Sequence, residues 1–150
     1  MTPGMDTRRA TQRDLERIRA LHAESGLAAL PSNVPLSNVI VALEGREAVG
    51  GIALAVCARS GLLRSAVVAP SYRRQGVGTS LVQSLLARAH ELGLRDLYLL
   101  TDSASEFFAT VGFVTLDRSE LPREIRATPE YKRQQPESSI AMMLPLATRW

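Results

Sequence analysis

The chain has 150 residues, 45% hydrophobic and 22% charged, with a formal charge of +3 and one cysteine. That balance excludes a disordered chain, and a lone thiol excludes an intramolecular disulfide and any metal site built on several thiolates. The pI of about 9.6 favours polyanionic ligands, but the basic residues are scattered and aromatics are only 5%, so no nucleic-acid stacking platform is visible.

Residues 1–9 carry no apolar signal core, and Met5 is an alternative start. No apolar stretch is long enough to cross a bilayer. A reducing cytoplasm is therefore the expected compartment, and the length suits one domain over residues 1–150. A first strand is expected over residues 7–10. Thr11 then reads as a helix N-cap with Asp14 in capping-box position, and Leu15, Ile18, Leu21 and His22 follow at helical spacing until Gly26. Residues 27–36, broken by Pro31 and Pro35, hold either a short helix or a loop.

Residues 39–43 and 48–58 flank a Gly45 turn and read as a hairpin. A turn at Arg59-Ser60-Gly61 leads to a third strand over residues 62–68. Cys57 closes the apolar run Ile52 to Cys57 and reads as a small core side chain. A nucleophilic thiol would need a base beside it, and His22 and His90 both fall in helical segments. Pro70 ends the strand. From Val77, the residues Leu81, Val82, Leu85, Leu86 and Ala89 share one helical face, which closes at Gly93. Residues 97–100 form a further strand, completing a crossover unit. Ser103 and Glu106 read as a capping box for a short helix carrying Phe107, Phe108 and Val111. A strand starts at Phe113-Val114. Residues 121–137, with Pro122, Pro129 and Pro136, read mostly as loop, and residues 139–144 as the last strand. The fold class is α+β, a mixed sheet of about six or seven strands with helices on both faces.

The chemistry concentrates in Arg73-Arg74-Gln75-Gly76-Val77-Gly78-Thr79, between a strand and a helix. Glycines permit positive φ and close approach of a ligand. Free N–H groups and the helix dipole make an anion site suited to a pyrophosphate, and Arg73 or Arg74 adds a charge-assisted contact. Two known phosphate loops are rejected. A dinucleotide fingerprint needs a third glycine where Leu81 stands, and no Gly-Lys-Ser/Thr tripeptide is present.

Arg-x-x-Gly-x-Gly after an apolar strand ending in Ala-Pro, and before an amphipathic helix, resembles the coenzyme A loop of GNAT acetyltransferases. The Phe108-Ala109-Thr110-Val111-Gly112-Phe113 stretch looks like that family's later helix and its Gly-Phe ending. Leu62-Leu63-Arg64-Ser65, Leu99-Leu100-Thr101 and Leu121-Pro122 through Tyr131 are similar to the arsenic-resistance N-acetyltransferase branch and to the acetyltransferase domain of N-acetylglutamate synthases. The resemblance implies acetyl-CoA as cosubstrate and no metal. It implies loop contacts from Arg73, Arg74, Gln75, Gly76, Val77, Gly78 and Thr79, and contacts to the pantetheine arm from Val67 and Val68.

The family's tyrosine, which can protonate the departing thiolate, is replaced by Phe108. Glu106 is a candidate general base and Asp102 a second, although either can instead cap the helix. Arg64 is a lone charge in an apolar strand. It faces solvent or, facing inward, pairs with an acidic substrate group. Thr101 adds a substrate hydroxyl contact. Tyr131, Lys132 and Arg133 either cover the acceptor or form a solvated loop. The expected reaction is acetyl transfer to the primary amine of a small, anionic, amino-acid-like molecule by a monomer or homodimer, with no nucleic-acid or membrane partner. Acetylation of a peptide and non-catalytic acyl-CoA binding are the alternatives.

Overall fold

The computed structural model describes residues 6–24, 35–133 and 139–146. Its elements are β1 (Asp6–Arg9), α1 (Gln12–Glu24), β2 (Val39–Glu44), β3 (Glu47–Cys57), β4 (Ser60–Val68), α2 (Val77–Glu91), β5 (Asp96–Thr101), α3 (Ser105–Thr110), β6 (Val114–Leu116), α4 (Arg123–Arg126), α5 (Pro129–Arg133) and β7 (Ile140–Pro145). These seven strands are hydrogen-bonded in the order β1-β2-β3-β4-β5-β7-β6. β4 and β5 run parallel, whereas β1 with β2, β2 with β3, β5 with β7 and β6 with β7 run antiparallel. The sheet is therefore mixed, as the hairpin and crossover patterns require. The expected stop at Gly26 and most of the 27–36 segment lie outside the described residues.

The chain divides into two compact units, residues 1–55 with 64–88 and residues 56–63 with 89–150. In the first unit, helices cover both faces of the sheet, and two adjacent glycines on β3 show it. A Cβ at Gly51 would stand 2.7 Å from Ile18 Cδ1 of α1. A Cβ at Gly50 would stand 3.1 Å from Val77 Cγ1 and 3.2 Å from Leu81 Cδ1 of α2. Successive strand residues point to opposite faces, so α1 and α2 lie on opposite sides. Both helices dock on strand positions without side chains, which lets them approach closely. The α1 face buries Leu15, Ile18, Leu21, Val39, Val41, Val49, Ala53, Val67 and Ala69 together.

The start of α1 is capped as the sequence implies. Asp14 N–H donates to Thr11 Oγ1 at 3.3 Å, and Thr11 N–H donates to Asp14 Oδ2 at 2.8 Å. Arg8 forms an ion pair with the same carboxylate. Burial pushes the Asp14 carboxyl up, but the bonds from Arg8, the Thr11 N–H and the Thr11 hydroxyl prevail and hold it below the usual aspartate value.

In the second unit, Ser60, Gly61 and Leu62 of β4 pair in parallel with Asp96, Leu97 and Tyr98 of β5. β7 lies between β5 and β6. Leu97, Leu99, Phe108, Phe113, Leu121, Ile125 and Met142 are buried. Phe108 meets Phe107 and Phe113 edge to face, at 5.1 and 5.7 Å between centroids. A buried polar knot joins β4 and β5. The Ser60 hydroxyl donates to Asp96 Oδ1 at 2.6 Å, and the Tyr98 hydroxyl donates to Asp96 Oδ2 at 3.2 Å. Burial, the Asp96 charge and that hydrogen bond push the Tyr98 phenol up to about 12.

Four sequence expectations are corrected. The turn before β4 is Ala58-Arg59, with Ala58 at φ 58. Ser60 and Gly61 are strand residues because β5 pairs with them. The Ser103–Glu106 capping box does not form. α3 starts at Ser105 behind Ala104, whose N–H donates to Thr101 Oγ1 at 3.0 Å. Residues 118–133 are largely helical, with a 3-10 turn Arg118–Glu120, then α4 and α5. Pro122 precedes α4 and Pro129 opens α5, so two of these prolines start helices, where a missing N–H costs nothing. Cys57 is half-buried at the end of β3, not a core side chain. Among the described residues, no helix is long and apolar enough to cross a membrane.

Candidate functional site

The strand before the loop ends where its last link to β3 is made. Ala69 N–H donates to Val49 O at 2.7 Å. Pro70 then opens a 3-10 turn, Pro70–Tyr72, its ring presetting φ and its missing N–H costing no bond. Arg73 is extended at φ −69, ψ 151. Arg74 (φ 64) and Gly76 (φ 83) are left-handed, and α2 begins at Val77. Ser80 N–H donates to Gly76 O at 3.1 Å, which makes Gly76 the N-cap.

This backbone leaves a run of donors facing outward. Among the described residues, the backbone N–H groups of Arg74 to Thr79 have no acceptor within hydrogen-bonding geometry. Those of Val77, Gly78 and Thr79 belong to the first helical turn, which has no intrahelical partner for them. Alternation of ordinary and left-handed residues turns successive N–H groups towards one concavity, an arrangement that binds anions. The positive end of the α2 dipole adds to it. Nothing lies within 4 Å of a Cβ at Gly76, so the approach is open. The glycines divide the work differently from the sequence expectation. Gly78 sits inside α2 without a positive φ, and the second left-handed position is Arg74. A non-glycine residue there costs about 1–2 kcal/mol.

Three side chains hold this loop, an anchoring role that the sequence pattern does not reveal. Tyr72 is partly buried against the α1-side core. Arg73 Nε donates to Val68 O at 3.1 Å. Gln75 Nε2 donates to Ser71 O at 2.9 Å. An aromatic two residues after Pro70 in a polar stretch was the available signal for Tyr72. Across the trans Val68–Ala69 peptide the carbonyl points opposite to the N–H. Because that N–H binds β3, the Val68 carbonyl points away from β3.

The remaining predicted residues divide between the units. Val67 is buried and Val68 half-buried at the end of β4, while Arg73, Arg74, Gln75 and Gly76 are exposed. Val77 is buried, and Gly78 and Thr79 are half-buried. Arg64 is half-buried on β4, with its Nε shielded from solvent. All of these belong to the first unit.

Thr101, Asp102, Glu106, Phe108 and Tyr131 belong to the second. Thr101 is buried at the end of β5 and holds the Ala104 N–H. Asp102 is exposed in the bend before α3, and Glu106 is exposed in the first turn of α3 with no capping role. Phe108 is buried among aromatic rings and offers no proton. Tyr131 stacks under the Arg118 guanidinium at 4.7 Å, and Lys132 is exposed. No group of three or more His, Cys, Asp or Glu poised for a metal occurs among the described residues.

Residues 35–115 match the model of the acetyltransferase (GNAT) domain family. The amino-acid acetyltransferase of Edwardsiella ictaluri is 32% identical over 76 residues, 51% of this chain and 17% of that protein. The amino-acid acetyltransferase of Azotobacter vinelandii is 35% identical over 75 residues, 50% and 17% respectively. The chain thus spans about a sixth of the length of these curated relatives. N-acetylglutamate synthase from Neisseria gonorrhoeae, solved with coenzyme A and N-acetyl-glutamate, shares the fold at TM-score 0.83 and 23% identity, over 99% of this chain and 36% of that one. Rv2747 from Mycobacterium tuberculosis, solved with CoA, shares it at TM-score 0.77 and 23% identity, over 95% and 99%. Because the family model takes in more than half of the chain, from just before β2 into β6, the protein belongs to the GNAT acetyltransferase family.

Proposed function

We propose that residues 1–150 form a single acetyltransferase domain that moves an acetyl group from acetyl-CoA to the primary amine of a small, anionic, amino-acid-like acceptor. The observation that carries this reading is the run of outward amides from Arg74 to Thr79 in front of the open space at Gly76. A diphosphate fits such a cradle because its oxygens accept several N–H bonds at once and its charge meets the helix dipole. Glutamate chemistry in the N-acetylglutamate synthase fold and the amino-acid acetyltransferase relatives support the acceptor class.

The amine lone pair attacks the thioester carbonyl, the C–N bond forms, the C–S bond breaks, and the thiolate leaves as coenzyme A. The amine loses one proton, and Glu106 and Asp102 are the candidates to receive it through water. Phe108 cannot protonate the thiolate, which is a tolerable anion near neutral pH, so much of the rate comes from positioning. Arg64 is the cation we assign to the acceptor's carboxylate, and Thr101 its hydroxyl contact. The proposed setting is the cytoplasm, as a monomer or homodimer without a nucleic-acid or membrane partner.

The buried Phe108 favours a second reading, a non-catalytic acyl-CoA-binding module. Titration calorimetry with coenzyme A, followed by acetyl-CoA turnover on panels of free amino acids and of peptides, separates the readings. Binding with turnover of acidic amino acids is expected. Turnover of peptides alone moves the assignment to protein acetylation, binding without turnover moves it to the module, and absence of binding removes the loop's role.

A further inference from the structure

The two adjacent arginines of the loop are held in opposite ways. Arg73 is extended, and its Nε is turned back onto the Val68 carbonyl at 3.1 Å. Its guanidinium therefore closes the turn from β4 into the loop. Gln75 makes a second such stitch to Ser71 O at 2.9 Å, and Tyr72 fixes the middle of the turn on the core. Arg74 is exposed and left-handed at φ 64, a conformation that glycine adopts freely and arginine does not. A strained residue persists where the surroundings over-determine it, and such positions concentrate at ligand sites. No side-chain hydrogen bond or ion pair of Arg74 occurs among the described residues.

We propose a division of labour within the coenzyme A loop. Arg74 is the cation that engages the diphosphate, and Arg73 is a positioning residue that ties the loop to the end of β4. This rests on the reading of the loop as the coenzyme A site. With Nε on the Val68 carbonyl, the Arg73 guanidinium is committed to the end of β4, and swinging it forward onto the anion would strain the turn that presents the amides. In the reverse assignment, the left-handed backbone at position 74 would still shape the cradle, but an arginine there, costlier than glycine, would have no task for its side chain.

The test is titration of dephospho-coenzyme A, whose only phosphates are the diphosphate, into the unsubstituted protein and the variants Arg74→Gly, Arg73→Ala and Arg73→Lys. Each is measured at low and high ionic strength, and thermal unfolding runs in parallel. Arg74→Gly is expected to unfold at the same temperature as the parent or higher, because the strain is relieved. It should bind about 10-fold more weakly, and its affinity should depend less on salt, because one screened charge–charge contact is gone. Arg73→Ala and Arg73→Lys are expected to weaken binding equally, by about 5-fold, with the parent's salt dependence. Lysine keeps the charge but not the planar Nε–H, so it does not rescue a tether.

The proposal is overturned if Arg73→Lys binds like the parent while Arg73→Ala loses salt dependence. It is also overturned if Arg74→Gly leaves affinity and salt dependence untouched. A parent protein that binds no dephospho-coenzyme A or coenzyme A overturns the site itself, which is a different result from reversed roles in a protein that binds.

Discussion

Gly76 is the position where backbone conformation and ligand access separate most cleanly. At φ 83 it is left-handed, and a Cβ built there meets nothing within 4 Å. Alanine therefore adds only backbone strain, about 1–2 kcal/mol, offset by about 0.4–1 kcal/mol from the stiffer unfolded chain. The net loss is about 1 kcal/mol, or a fall in Tm of about 2–4 °C for a chain of this size. Gly76→Trp carries the same strain but fills the mouth of the amide cradle. Denying the diphosphate two charge-assisted N–H bonds, at about 1.5–3 kcal/mol each, weakens binding by about 3–6 kcal/mol, more than 100-fold in Kd. Gly45 is the control, because it has φ 62 and also has nothing within 4 Å, yet lies in the β2–β3 turn. Gly45→Ala should lose as much Tm as Gly76→Ala and bind coenzyme A normally. The assay is differential scanning calorimetry with titration of coenzyme A. A folded Gly76→Trp protein with unchanged Kd refutes the placement of the diphosphate.

Gly51→Ala drives a Cβ to 2.7 Å from Ile18 Cδ1. It should destabilise by about 1–3 kcal/mol in urea unfolding, and Ile18→Val, which removes that methyl, should restore part of the loss. No recovery in the double variant means that α1 docks on β3 differently. The Tyr98 phenol, raised from 10.0 to about 12, gives an alkaline prediction. Below pH 10 both states are protonated and the contribution is complete. Between 10 and 12 the unfolded state ionises first, so stability falls as pH rises, by up to about 3 kcal/mol in total. Tyr98→Phe should flatten that slope, and parallel pH curves for the two proteins argue against the Tyr98–Asp96 bond.

Much of the architecture was legible because it follows from local pattern. Apolar runs around Gly45 marked a hairpin, and the spacing of Leu81, Val82, Leu85 and Ala89 marked a helix that buries those positions. The Thr11–Asp14 box was readable because both partners lie within one turn, and the Arg8 ion pair from β1 adds to it without displacing it. The Ser103–Glu106 box had the same spelling and failed. Thr101, at the end of β5, takes the free N–H of Ala104, and the helix starts one residue past the position a box would need. The helices over residues 118–133 are not legible in the pattern, because proline reads locally as a breaker whereas two prolines here stand at helix starts.

The residues by themselves determined that a strand, a polar turn with glycines and an amphipathic helix follow one another over residues 62–91, and hence that backbone N–H groups gather at the start of that helix. Those consequences need only chain connectivity and local conformational preference. Tertiary structure alone decided that Arg74 rather than Gly78 takes the left-handed turn, that Arg73 is bound to Val68, and that Tyr72 is seated on the α1-side core. Each depends on where β4 ends relative to β3 and on which surface α1 leaves for an aromatic ring. Such a contact is set by the three-dimensional sum of many burial energies, and no short window of sequence contains it.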